Sequence, residues 1–372
     1  MSFEDRVKAV AEFGFTERQA RFLVTVMLHS GVCVPRQYAR FAGTAYGHKV
    51  TKFFDKLVQR GYATSCGCLH NRAELYHVKH HALYRAIDQP NSRYRKPVPA
   101  RQAIERLMRL DSIVLYPDLT WFGTEQEKVA FLGMMAPTLP RDRLPQITVG
   151  IGASQRVRLF PEDQPIGVTS GGRVVFTYIV VAGYIEEFRA FVQRHADLLR
   201  ALPGWTLRML FPQHLAGAIS RFEAAARYEL ATRLRPDTLA ELKWYFEKRR
   251  STSDPCALSF ENEEFWRDQA AFGTPRFRQL YRRWLTHGDS VFDTVSSPAI
   301  AEALERGTGQ IESHVLTLSY RHLSPLASVV RSAAMGVEKG ERCSARPQPP
   351  LPPSLSISDQ LTRDWYRIIG RT

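Results

Sequence analysis

The 372-residue sequence predicts an α+β chain of several domains, and three observations carry that expectation. Residues 15–60 are punctuated as a trio of short helices. Between 147 and 211, runs rich in β-branched and aromatic residues alternate with one long helical pattern. From Pro212 to about Val337 the apolar spacing is mostly helical. The division that follows is 1–87, a linker at 88–101, a central mixed-sheet domain at 102–211, a helical region at 212–340, a proline-rich spacer at 341–356 and an amphipathic segment at 357–372.

Phe15-Thr16-Glu17-Arg18-Gln19 opens the first helix of the trio, with Thr16 as N-cap and Gln19 three residues on, the spacing of a capping box. Phe22, Leu23, Val26 and Met27 follow at helical spacing, and Gly31 stops the run. Pro35 near a first position starts a second helix to Phe41. Gly43 and Gly47 bracket a turn. The third helix spans His48 to Arg60 and is expected to bury Val50, Phe53, Phe54, Leu57 and Val58. Gly61 ends it; Tyr62-Ala63-Thr64 is extended, Cys66-Gly67-Cys68 turns, and Leu69 to Val78 returns as a second strand.

Residues 88–101 hold three prolines and four basic residues and read as a polar linker. A helix to Leu110 and a strand at Ser112–Tyr116 are expected next. Ile147–Ile151, Val157–Phe160 and Arg173–Val181 are strand-like, the last a nearly continuous apolar run behind the Gly171-Gly172 turn. Ile185 to Leu202 is a long helix closed by Pro203-Gly204, and Trp205–Phe211 is again a strand. Five prolines between 347 and 353 precede a terminal segment with Leu361, Trp365, Ile368 and Ile369.

Charge narrows the function classes. Lys plus Arg is 51 against 37 acids, a net of +14. Residues 1–110 hold 19 basic and 8 acidic residues (+11), leaving 32 against 29 (+3) for the rest. A basic first third points to a polyanion as partner. No window approaches ~18 consecutive apolar residues, so no membrane is expected. Five scattered cysteines make no disulfide framework, and a cytoplasmic, nucleoid-associated location is the expectation.

Three helices followed by a hairpin resemble a winged helix over residues ~15–87, and Lys56-Leu57-Val58-Gln59-Arg60-Gly61-Tyr62 resembles the helix-to-wing junction of that family. The resemblance implies double-stranded DNA as partner. On the outward face of the third helix, His48, Lys49, Thr51, Lys52 and Lys56 are the candidate contacts, beside Asp55; a merely solvated helix face is the alternative. Asn71 and Arg72 near the hairpin tip are wing candidates. Arg93, Arg95 and Lys96 continue the basic track around Tyr94.

Catalytic and metal signals are thin. Cys66 and Cys68, one residue apart with His70, His77, His80 and His81 nearby, lack zinc-knuckle spacing, and no metal or other cofactor is expected. The order Pro161-Glu162-Asp163, Gly-Gly turn, core strand, long helix resembles a restriction-endonuclease-like core. Such a core needs an acid and then an acid-x-lysine on the next strand, yet Val174 to Val181 has neither. Gln126-Glu127-Lys128 puts glutamine where the acid belongs. Gly307-Thr308-Gly309 lacks the lysine of a phosphate loop. His195 and His214 stand alone. In Arg276 to Trp284 the aromatics recur at core spacing, with the arginines as a candidate second surface for phosphate or a partner.

The stretches Phe15–Tyr62, Phe160–Asp163, Val174–Val181 and Trp205–Phe211 together resemble the replication-relaxation family of bacterial plasmids and integrative elements. That resemblance implies a DNA-binding protein of mobile-element maintenance with a degenerate endonuclease-like domain. The expectation is therefore a non-catalytic duplex-DNA binder whose later domains form a homodimer or recruit a partner, the C-terminal segment reaching a protein. A plain winged-helix regulator, a metal-dependent nuclease and a protein-interaction adaptor remain the alternatives.

Overall fold

The computed structural model describes residues 1–68, 73–97, 99–150, 155–232, 234–251, 263–318 and 320. The chain is α+β, and its contacts divide it into two compact units: Met1–Pro117 with Thr317–Thr372, and Asp118–Leu316.

The first unit runs α1 (Phe3–Ala11), α2 (Glu17–His29), β1 (Val32–Cys33), α3 (Pro35–Phe41), α4 (His48–Gln59), β2 (Ala63–Gly67), β3 (Glu74–Val78), α5 (His81–Ala86) and α6 (Ala100–Leu115). The capping box read at Thr16 and Gln19 is formed, and Pro35 begins α3. Helix α1 was not expected, although Ser2 and Asp5 form a second capping box around its first turn. Gly61, at φ 69°, closes α4: its N–H bonds to Val58 O and that of Tyr62 to Leu57 O, a Schellman exit into β2. The strands form an antiparallel sheet in the order β1-β3-β2, with Val32 opposite His77 and Ala63 opposite Val78. Phe22, Tyr38, Phe53, Phe54 and Tyr76 stack through the core, Tyr38 and Phe53 with ring centres 4.4 Å apart. Val58, expected inside, is 39% exposed, so α4 buries a narrower stripe.

The boundary expected at 87–101 falls elsewhere. Arg93–Arg95 is a short 3-10 turn whose Tyr94 ring is buried, with Tyr94 O accepting from His77 Nε2 at 2.8 Å. This stretch is therefore packed, not a free linker. Helix α6, placed in the central domain by its sequence, belongs to the first unit: Gln37 donates to Leu107 O at 2.9 Å and Ser30 to Arg106 O at 3.0 Å. It continues to Leu115, where a strand was expected; burial of Leu110, Ile113 and Val114 outweighs the β preference of Ile113 and Val114. Asp111, buried in α6, takes both guanidinium nitrogens of Arg36 at 2.8 Å and the hydroxyl of Tyr320 at 2.6 Å.

The second unit contains β4 (Thr120–Trp121), α7 (Glu125–Met135), β5 (Gln146–Val149), β6 (Arg156–Leu159), β7 (Ile166–Val168), β8 (Val174–Ile179), α8 (Glu186–Ala201), β9 (Trp205–Pro212), α9 (Ile219–Ala231), α10 (Pro236–Ser251), α11 (Glu263–Phe272), α12 (Pro275–His287), α13 (Ser290–Ser296), α14 (Ala299–Glu305) and β10 (Gly309–Leu316). Its main sheet has the order β10-β9-β8-β7-β4, with β8, β9 and β10 parallel and the other pairs antiparallel. Helix α8 makes the first parallel crossover, and α9 to α14 lie within the second. Every residue of β8 is buried, as its unbroken apolar run implied. Strand β10 is an element that the mostly helical reading of 212–340 did not include. The spacer at 341–356 and the amphipathic segment at 357–372 lie outside the described residues.

Candidate nucleic-acid interface

Helix α4 is two-sided. Val50, Phe53, Phe54 and Leu57 point into the aromatic core, and His48, Lys49, Thr51, Lys52 and Asp55 are exposed. The helix begins at Gly47, which has no side chain to cap it, and no acid occupies its first turn. That leaves an end favourable to anions. Lys49 and Lys52 bond to nothing among the described residues, while the Thr51 hydroxyl reaches back to Gly47 O at 3.4 Å. The loop ahead of the helix, residues 43–47, is exposed throughout, and Tyr46 is 67% exposed. Tyr46 is a contact candidate that the sequence reading missed. The Gly43 and Gly47 bracket was the available signal.

Lys56 is not a free contact. Its Nζ donates to Gly14 O and lies 4.9 Å from the centre of the Phe15 ring, tying α4 to the turn between α1 and α2. Partial burial, then the neighbouring Arg60 and Lys52, hold its pKa below the ordinary lysine value. Arg60 likewise donates to Phe13 O at 2.8 Å. Arg95 is spent on the carbonyls of Lys79 and Pro90, at 3.4 Å and 2.5 Å, and Arg93 sits 5.3 Å from the Tyr94 ring centre. Lys96 alone of that trio is exposed. Asn71 and Arg72 lie outside the described residues. Of the ten positions named from the sequence, the structure leaves His48, Lys49, Thr51 and Lys52 together on one open face.

Cys66 is buried and Cys68 half-buried, and burial pushes both thiols up, Cys68 to about 11. His77 is turned to Tyr94 O. Among the described residues no three His, Cys, Asp or Glu side chains gather as a metal site.

In the second unit the two acids weighed for a nuclease are both paired with arginine. Glu162 accepts from Arg194, and Asp163 accepts from Arg158 at 3.0 and 3.1 Å. Lys128 is buried, donating to Gln164 O at 3.4 Å, and Glu127 caps its own helix. His195 is buried beside Phe160, Phe176 and Phe191 with Nδ1 on Phe191 O, and burial pushes its pKa down to about 4. In the segment from Arg276 to Trp284, Phe277, Leu280 and Trp284 are core. Arg276 is buried on the carbonyls of Tyr228 and Thr232, and Arg283 pairs with Asp197. Arg278 and Arg282 are the exposed ones.

No family model, curated protein or solved structure matches this chain. No helix among the described residues is long and apolar enough to cross a membrane.

Proposed function

We propose that the first unit is a winged helix that binds duplex DNA through the exposed face of α4, and that the protein acts without catalysis. The observation that carries this reading is the coincidence of topology and surface. The order α2-β1-α3-α4-β2-β3, with β1 on the outer side of the β2–β3 hairpin, accords with a winged helix and supports this reading. Its third helix is also the one that presents two unpaired lysines beside an uncapped N-terminus. Lys49 and Lys52 would meet phosphates, and His48, Thr51 and Tyr46 lie where base edges or sugars would be reached. Residues 1–110 supply the long-range attraction through their +11 balance.

The second unit carries the stretches that resemble an endonuclease-like core. Its parallel β8–α8–β9 unit accords with such a core, and the family reading as a protein of mobile-element maintenance rests on these stretches together with Phe15–Tyr62. Cleavage is not part of the proposal, because Glu162 and Asp163 are held by arginines and β8 offers neither carboxylate nor lysine. The test is duplex binding by the full chain across a salt series. A steep slope that flattens when Lys49 and Lys52 are removed is the expected result; no salt-dependent binding would refute the reading.

A further inference from the structure

The hairpin β5–β6 belongs to neither sheet core. It is a separate two-stranded ribbon, with Gln146 opposite Leu159, Ile147 opposite Arg158, Thr148 opposite Val157 and Val149 opposite Arg156. Its root is fixed: Leu144, Leu159 and Phe160 are buried in the core of the second unit, and Phe160 N–H bonds to Pro145 O at 2.7 Å. Phe160 and Asp163 leave the ribbon at φ 47° and 58°, a left-handed conformation costly for a side chain as bulky as Phe160, so the root is held in a defined bend. Arg158 closes the same bend by its pair with Asp163. Beyond the root, Ile147, Thr148, Val149, Arg156 and Val157 are all exposed, Val157 by 61%.

Isolated ribbons with exposed apolar side chains on both faces are weak structures in water, which argues for an occupant. Charge identifies its kind. From Arg143 to Pro161 there are three arginines and no acid; Arg158 is held by Asp163, which leaves Arg156 on the ribbon and Arg143 at its base, beside Asp142, as the open charges. Residues directly opposite share a face, so Ile147, Val149, Arg156 and Arg158 line one side. A second copy of this chain would bring like charge against like. A polyanion with apolar features between its charges would not.

We propose that this ribbon is an arm that enters a groove of duplex DNA, giving the protein a second contact outside α4. Two strands ~4.8 Å apart with their side chains suit a major groove ~12 Å wide. The four paired positions, at ~3.4 Å each, span about four base pairs. Arg156, and Arg143 at the base, meet phosphates or base edges. Ile147 and Val149 offer apolar contact of the kind thymine methyls accept. Arg158 stays on Asp163 and aims the arm.

This inference rests on the DNA-binding reading, and the experiment separates the two. Full-length protein, the double variant R143A/R156A and the double variant K49A/K52A are compared by anisotropy across a salt series and by hydroxyl-radical footprinting on one duplex. Arg143 and Arg156 make no side-chain bond among the described residues, so the fold is expected to survive, which the melting curve checks. R143A/R156A is expected to lower the salt slope by about 1.8, weaken binding roughly 30-fold at 0.15 M salt and shorten the footprint by about four base pairs. K49A/K52A keeps those base pairs protected. Wild-type binding with slope and footprint unchanged in R143A/R156A overturns the arm alone. Absence of duplex binding by the wild type overturns the DNA reading and the arm with it. If V149S/V157S turns a sedimenting dimer into a monomer and leaves the footprint intact, the ribbon pairs chains and the proposal is wrong.

Discussion

Replacing Lys49 and Lys52 together by alanine isolates the face of α4. Both side chains are exposed and bond to nothing among the described residues, so their loss should leave stability nearly unchanged. If each neutralises one phosphate, two contacts contribute a slope of about 1.8 in log K against log salt. The same slope predicts roughly 30-fold weaker binding at 0.15 M salt and roughly 200-fold at 0.05 M. Fluorescence anisotropy with a labelled duplex reads both numbers. Lys56→Ala provides the contrast. It removes the bond to Gly14 O and the contact with the Phe15 ring, so it should cost about 1–2 kcal/mol of stability and leave the salt slope alone. A double variant that binds with the parental slope, or a K56A protein that loses slope and keeps its melting temperature, would refute the division of labour drawn along this helix.

His77 and His195 are each pushed by burial from 6.5 to about 4. Both stay neutral in the folded chain and take up a proton on unfolding below pH ~6.5, so stability falls with acidification, by about 2 kcal/mol per histidine at pH 5. H77Q should reduce that loss in hydrogen exchange of α2 and β3, and equal acid sensitivity in the variant would show the sign argument to be misplaced. Gly31 has φ 72°, and a Cβ there would overlap Tyr94 O and lie 2.8 Å from Tyr94 Cβ; G31A should destabilise by at least about 2 kcal/mol, and an unchanged melting curve would contradict that. Asp111→Asn leaves Arg36 with a neutral partner in a buried site and should cost about 3 kcal/mol, whereas Tyr320→Phe loses one hydrogen bond and should cost about 1 kcal/mol. The reverse order in urea titrations would mean that the Tyr320 hydroxyl, not the charge pair, dominates.

What could be read from the sequence was whatever local chemistry decides. Thr16 with Gln19, Pro35, and Gly61 after an amphipathic run set the ends of α2, α3 and α4 to within a residue or two of where they lie. The apolar run at 174–179 announced a strand buried on both faces. What could not be read was decided by distant partners. Ile113 and Val114 prefer strands but are helical because α6 packs on α2, α3 and β1, elements some 70–80 residues earlier. Strand β10 pairs with β9, 104 residues before it, so its place in the sheet is set by a distant partner. The candidate site shows the same split. Lys49 and Lys52 were placed outward by helical period alone. Lys56 obeys that period too, but it faces the turn at Gly14, which no periodicity within α4 reveals. Tyr94 lies among prolines and arginines typical of a linker, yet its ring is buried and its carbonyl serves His77.

The uneven charge has a further consequence once the acids are located. Of the eight acids in residues 1–110, Glu4 and Glu17 hold Arg21, Glu105 holds Arg109, Asp5 caps α1 and Glu74 binds the Tyr76 hydroxyl. Only Asp55 stands on the exposed face of α4, one turn after Lys52 and Thr51. It is the one side chain there that repels a phosphate row. Asp55→Asn keeps its size and removes the charge without touching the core. If the face meets DNA, D55N should bind more tightly, by up to about 5-fold at 0.15 M salt, the equivalent of one further phosphate contact. A face that is only solvated predicts no change. Weaker binding by D55N would show instead that the carboxylate accepts from a base, as an acid does from cytosine N4, and would move Asp55 from obstacle to specificity element.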